Sequence, residues 1–164
     1  MRYLSDILEG LPFTELQGSV DMEISAIVFD SRKVVPGSLF VAVKGTAVDG
    51  HDYIEQAVKD GAVAVICEEL PVHITGEVDF LMVANSAIAL GIVSANFYDN
   101  PSDKLKLVGI TGTNGKTTIA TLLYKLFRDL GYKCGLLSTV ENQINGTVIP
   151  ATHTTPDPVE LNKL

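Results

Sequence analysis

The sequence predicts an α/β fold in two parts, a small α/β domain over residues 1–100 and the start of a P-loop, mostly parallel-sheet domain over residues 101–164. Three observations predict it. Short apolar runs such as Leu39–Val43 and Ala62–Cys67 alternate with stretches of helical period. Within Leu105–Gly131 an apolar run, a glycine loop and an amphipathic pattern follow one another. Between the parts, Asn100, Pro101, Ser102 and Asp103 break the chain.

Taken in order, Leu4, Ile7, Leu8 and Leu11 fall on one face, so a short helix is expected over Tyr3–Leu11, stopped by Pro12. Glu23–Phe29 (EISAIVF) reads as a strand with Ile24, Ile27 and Val28 in the core, closed by Asp30, Ser31 and Arg32. Val35-Pro36-Gly37 is a turn before the strand Leu39–Val43, and Lys44–His51 is a polar loop. Asp52 and Glu55 have capping-box spacing ahead of a helix striped by Tyr53, Ile54, Ala57 and Val58 and ended by Gly61. Ala62–Cys67 is a buried strand and Phe80–Val83 a shorter one. Ser86 is expected to cap a helix running to Tyr98, which is apolar almost all round and so must be covered on more than one face. In the second part, Leu107–Ile110 and Lys133–Ser138 read as strands flanking a helix, a parallel right-handed β-α-β start. Asn145-Gly146 signals a type I′ hairpin turn, and Asp157 is placed to cap a helix with Pro158 at its first position. Two or three strands after residue 101 are fewer than a nucleotide-binding parallel sheet needs, so the chain is expected to be the front piece of a longer protein.

Hydrophobic residues make up 46% of the 164, enough for a packed core and against disorder. No apolar run approaches the ~20 residues of a membrane span, and the opening MRYLSDILEGL lacks the features of a signal peptide. The expected location is cytoplasmic, without membrane insertion. The net charge of −8 is uneven: residues 1–100 hold 5 Lys+Arg against 15 Asp+Glu, residues 101–164 hold 7 against 5. An acidic first part argues against a nucleic-acid partner. Cys67 and Cys134 lie far apart inside apolar stretches, and His51, His73 and His153 have no metal-ligand spacing, so buried thiols are expected rather than a disulfide or zinc site.

Gly109–Thr117 (GITGTNGKT) matches the phosphate-binding pattern G-x-x-x-x-G-K-[ST] in the strand–loop–helix order that the motif requires. Glycines let backbone N–H groups converge on phosphate oxygens, and the helix N-terminus adds its positive dipole end. Lys116 would reach the β- and γ-phosphates, and the Thr117 hydroxyl would ligate Mg²⁺.

The segment Thr111–Thr118 (TGTNGKTT) resembles the loop of the Mur ligases and their folylpolyglutamate and cyanophycin synthetase relatives. Asp30–Arg32, Pro36–Gly45 (PGSLFVAVKG) and Asp49–Ile54 (DGHDYI) look like the UDP-binding domain of the MurE and MurF types. His153–Asp157 (HTTPD) is similar to the substrate loop of the MurE type; the MurF type usually has Asp-Thr-Arg where this chain has Asp30-Ser31-Arg32. The resemblance covers nearly the whole chain. It implies an ATP-dependent amide ligase of peptidoglycan synthesis, joining meso-diaminopimelate or L-lysine to UDP-N-acetylmuramoyl-L-alanyl-D-glutamate through an acyl phosphate, and acting as a monomer.

By the same resemblance Gly112, Thr113, Asn114, Gly115, Lys116, Thr117 and Thr118 hold ATP, with Lys116 catalytic. Ser31 contacts the UDP moiety, Thr46, Ala47 and Val48 line the same pocket, and Thr154 and Thr155 contact the UDP-sugar peptide. Each has a plainer rival: Ser31 as a turn cap, residues 46–48 as a solvated loop, and Thr154 with Thr155 as a turn before Pro156. Arg32 is expected in a structural ion pair. The family's central Mg²⁺-binding glutamate and histidine, its carbamoylated lysine and its C-terminal domain have no counterparts here, so residues 1–164 alone are expected not to turn over ATP. The alternatives are a MurF-type ligase, which takes a tripeptide substrate and D-Ala-D-Ala, and a non-catalytic UDP-sugar or nucleotide-binding module.

Overall fold

The computed structural model describes residues 1–45, 48–71, 78–150 and 156–164. The chain begins with β1 (Arg2–Tyr3), α1 (Leu4–Ile7), β2 (Glu15–Gln17), β3 (Glu23–Ile24) and β4 (Ala26–Val28). β5 (Ser38–Val41), α2 (Ile54–Lys59), β6 (Ala62–Cys67), β7 (Asp79–Met82) and α3 (Ser86–Phe97) follow. The later residues form α4 (Lys116–Asp129), β8 (Gly135–Leu136), β9 (Glu141–Ile144), β10 (Thr147–Pro150) and α5 (Pro158–Lys163).

The principal sheet has the order β2-β7-β6-β5-β4. β4 to β7 run parallel, and β2 joins one edge antiparallel with Leu16 opposite Leu81. Alternation along each strand assigns side chains to two separate cores, because successive residues point to opposite faces. Leu39, Val41, Ala64, Ile66 and Leu81 pack with Leu4 and Ile7 of α1 and Ala89, Leu90 and Val93 of α3. Phe40, Ala42, Val65, Cys67 and Phe80 pack with Ile54 and Ala57 of α2. A sheet covered on both faces explains why these strands are continuously apolar. α5 lies along α3, with Val159 against the first core, so α3 meets neighbours on more than one side as its composition requires.

Several expectations need correction. The Tyr3–Leu11 helix is shorter: the backbone pairs as β1 and is helical over Leu4–Ile7. The Glu23–Phe29 strand divides at Ser25, because β3 pairs with β1 while β4 pairs with β5. Ser25 sits at that switch, its N–H donating to Gly37 O at 2.9 Å and its hydroxyl to Pro36 O at 2.9 Å. Asp52 caps nothing; Asp49 caps a 3₁₀ turn over Gly50–Tyr53 that leads into α2. Asn85 rather than Ser86 caps α3, accepting from the Ile88 N–H at 2.9 Å. β2 had no sequence signal, since Leu16 alone of its three residues is partly buried.

The second part departs furthest. Leu107–Ile110 is not a strand, and Leu107 and Val108 are exposed. A single extended segment leaves its backbone donors and acceptors without ladder partners, and no described strand lies beside this one. The expected strand Lys133–Ser138 is reduced to β8, which pairs antiparallel with β9, so the parallel β-α-β start does not form. β9 and β10 make the expected two-residue hairpin: Asn145 at φ 51° and Gly146 at φ 94° both have the positive φ of a type I′ turn. Tyr124 of α4 is buried against this hairpin, its hydroxyl accepting the Gly146 N–H at 2.7 Å.

Candidate functional site

Ser31, the Lys44–Asp49 loop, Glu68 and Asn85–Ser86 follow β4, β5, β6 and β7 respectively, so all leave the same carboxyl edge of the parallel strands. That edge is where ligands bind in open α/β sheets. Ser31 opens a 3₁₀ turn over Ser31–Lys33, but the cap of that turn is Asp30, whose carboxylate accepts the Arg32 N–H at 3.1 Å. The turn-cap rival for Ser31 is therefore filled by its neighbour. Arg32 makes the structural ion pair expected, two bonds of 2.9 and 2.8 Å to the Asp30 carboxylate, which lies below the usual carboxylate range because Arg32 holds it charged. Val48 is exposed; Thr46 and Ala47, like Thr154 and Thr155, lie outside the described residues.

The ends of the Lys44–Asp49 loop are fastened by a polar network that sequence reasoning missed. Lys44 and Asp49 form an antiparallel bridge, Gly45 N–H donates to Val48 O at 3.0 Å, and Gly50 N–H donates to Val43 O at 2.9 Å. A Cβ at Gly50 would lie 2.7 Å from Val43 N, so only glycine fits this close backbone approach. The Glu68 N–H donates to His51 Nε2 at 2.8 Å, which leaves the ring proton on Nδ1, facing Asp49 Oδ1 at 2.6 Å. Glu68 Oε1 accepts from both the N–H and hydroxyl of Ser86, at 2.8 and 2.7 Å, while the Ser86 Oγ accepts from the Lys44 N–H at 3.2 Å. Asp49 and His51 were visible as part of DGHDYI, but Glu68 had no signal; its partner Ser86 lies 18 residues away.

The two Ser86 bonds hold the Glu68 carboxyl below its ordinary value of 4.5. A lowered folded-state value means that this stabilisation is complete above pH 4.5 and is lost as pH falls through the folded value. We expect Glu68→Gln to melt below the parent at neutral pH, with the gap closing in acid because the protonated glutamate then resembles glutamine. Melting temperatures of both chains from pH 7 downwards check this; a gap that widens in acid would contradict it.

The phosphate-loop candidates are contiguous. Gly115, at φ 78°, is the N-cap of α4, and Gly112 is at φ 149°. The first N–H groups of α4 have no partner within the helix. Lys116 Nζ folds back over the loop to Gly112 O at 2.5 Å and Thr113 O at 3.4 Å. Gly112–Lys116 and Thr118 are exposed and Thr117 is half-buried. Positive-φ glycines, open amides at a helix start and one mobile-length cation suit a polyphosphate, and the Thr117 hydroxyl suits a hard cation held beside it.

Comparison with known proteins adds three findings. A model described as Mur ligase family, catalytic domain, matches residues 23–104, and one described as Mur ligase middle domain matches residues 110–164. A UDP-N-acetylmuramoyl-L-alanyl-D-glutamate--2,6-diaminopimelate ligase of Cytophaga hutchinsonii is 55% identical over 162 residues, covering 98% of this chain and 33% of that protein. A solved ligase of the same name has TM-score 0.70 at 27% identity over 96% of this chain and 32% of its own, and the MurF ligase of Thermotoga maritima, solved with ADP, has TM-score 0.51 at 34% identity over 63% of this chain and 23% of its own. The chain thus spans about a third of the length of the relatives it matches.

Proposed function

The chain belongs to the Mur ligase family, and on that premise we propose that it is the N-terminal third of an ATP-dependent amide ligase that adds 2,6-diaminopimelate to UDP-N-acetylmuramoyl-L-alanyl-D-glutamate in peptidoglycan synthesis. The observation that carries this is the 55% identity to a ligase of that name along 98% of the chain. The same name favours diaminopimelate over lysine. MurF is the weaker reading, since the MurF ligase solved with ADP aligns over 63% of the chain, against 96% for the diaminopimelate ligase.

In this reading residues 1–100 hold the UDP-sugar and residues 101–164 begin the ATP-binding domain; one family match ends at residue 104 and the other begins at residue 110, a few residues beyond that division. A D-glutamate carboxylate oxygen attacks the γ-phosphorus of ATP, ADP leaves, and the diaminopimelate amine then displaces phosphate from the acyl phosphate. Lys116 and the amides of Gly112–Thr118 would neutralise charge on the transferring phosphoryl group, and the Thr117 hydroxyl would help hold a Mg²⁺ ion, which would supply further positive charge there. Ser31, whose hydroxyl makes no hydrogen bond among the described residues, takes the UDP moiety with Thr46, Ala47 and Val48. Thr154 and Thr155 contact the peptide end. The enzyme is taken to work in the cytoplasm, as a monomer, on small molecules. Among the described residues no helix is long and apolar enough to cross a membrane.

The test is ADP release by the full-length protein. Release is expected when UDP-N-acetylmuramoyl-L-alanyl-D-glutamate and 2,6-diaminopimelate are both present, and not from residues 1–164 alone. Release that requires the tripeptide substrate and D-Ala-D-Ala instead would overturn the assignment.

A further inference from the structure

We propose that Asn145 is a modification site held shut by the fold: the Asn145–Gly146 pair can close to a succinimide, and the Tyr124 hydroxyl of α4 stands where that ring must form. The proposal goes beyond the ligase reading and does not depend on it.

The chemistry needs only the dipeptide and water. The Gly146 amide nitrogen gives up its proton and bonds to Asn145 Cγ. The Cγ–Nδ2 bond breaks, and the side-chain nitrogen takes up that proton and leaves as ammonia. Water then opens the ring at either carbonyl, to aspartate or isoaspartate. Glycine leaves the attacking nitrogen open because it has no Cβ beside it. In the ring, Cγ takes the place of the Gly146 amide hydrogen, so it must arrive along the N–H direction.

That direction is filled. The Gly146 N–H donates to the Tyr124 hydroxyl oxygen at 2.7 Å, and Tyr124 is 7% exposed. The carboxamide is pinned too: Asn145 Oδ1 accepts the Cys134 N–H at 3.0 Å, and the Asn145 N–H donates to Cys134 O at 3.0 Å. A bond to Oδ1 polarises the carboxamide, which by itself favours attack. Geometry outweighs it, since Cγ cannot reach a nitrogen whose approach is occupied. Reaction therefore waits for the hairpin to leave α4. Isoaspartate, with one more carbon in the backbone, would then keep β9 and β10 from regaining their register.

The chain carries its own reference. Its other Asn-Gly pair is Asn114–Gly115, where both residues are exposed and, among the described residues, no hydrogen bond holds the Gly115 N–H or the Asn114 side chain. The test follows both pairs in the full-length protein, without nucleotide and in neutral buffer, by peptide mapping with mass spectrometry. In the folded protein Asn145 is expected to convert at least about tenfold more slowly than Asn114, and in concentrated urea the two should come within about threefold of each other. Tyr124→Phe keeps the ring and removes the acceptor. It should speed Asn145 roughly two- to tenfold, the weight of one hydrogen bond, and leave Asn114 unchanged. Equal rates at the two sites in the folded protein overturn the proposal, as does a gap that persists in urea. A folded Tyr124→Phe protein in which Asn145 is no faster overturns it as well. If Tyr124→Phe does not fold, the comparison of the parent protein folded and in urea decides alone.

Discussion

Replacing Lys116 by alanine in the full-length ligase is expected to lower amide formation by about 10³-fold, the scale seen when one preorganised charge-stabilising group is removed. The side chain is exposed and, among the described residues, bonds only to carbonyl oxygens of its own loop, Gly112 and Thr113, so its loss should leave the melting temperature unchanged. In the proposed reaction the effect should fall on kcat, because negative charge would build on the phosphoryl oxygens as the carboxylate attacks. Lys116→Arg should not restore the rate: the planar guanidinium is bulkier than an ammonium and fits differently among closely spaced backbone groups. Steady-state ADP release with calorimetric melting checks both. A loss below tenfold, or a melting temperature that falls in step with the rate, would remove Lys116 from the phosphoryl site.

The second large effect is on stability, and it contrasts two side chains of similar character. Phe40 is fully buried between the sheet and α2, whereas Leu122 of α4 is 60% exposed. Phe40→Ala should cost about 3–5 kcal/mol, from lost transfer free energy and the cavity left behind. Leu122→Ala should stay within about 0.5 kcal/mol. Against a typical domain stability of about 5–15 kcal/mol, the first change removes much of the folded margin. Urea unfolding of the 164-residue chain measures both. Equal midpoint shifts would mean that α4 is packed as tightly as the principal sheet.

The motif and the first core were legible for different reasons. The match of Gly109–Thr117 to the phosphate-binding pattern could be read because that pattern is local: its glycines, lysine and threonine are adjacent in sequence and need no distant partner to be recognised. Ala62–Cys67 and Leu39–Val43 could be read because strands covered on both faces are apolar at every position. β2 was illegible because an edge strand with one half-buried residue carries almost no hydrophobic signal. The cap of α3 was misread by one residue, since Asn85 and Ser86 are both good caps and the Ser86 hydroxyl is drawn away by Glu68. Leu107–Ile110 misled in the other direction: its composition suits a strand, yet no described neighbour supplies a ladder.

The sequence by itself determined the α/β class, the glycine turn ahead of α4 and the family resemblance, because each rests on residue types at short, fixed spacings. Tertiary structure alone decided which strands pair. It placed Leu39 and Phe40 in opposite cores and closed the circuit from Lys44 through Ser86, Glu68, His51 and Asp49. The reason is physical. A hydrogen bond between residues 18 or 42 positions apart depends on where the sheet brings its strand ends, and no local pattern encodes that meeting.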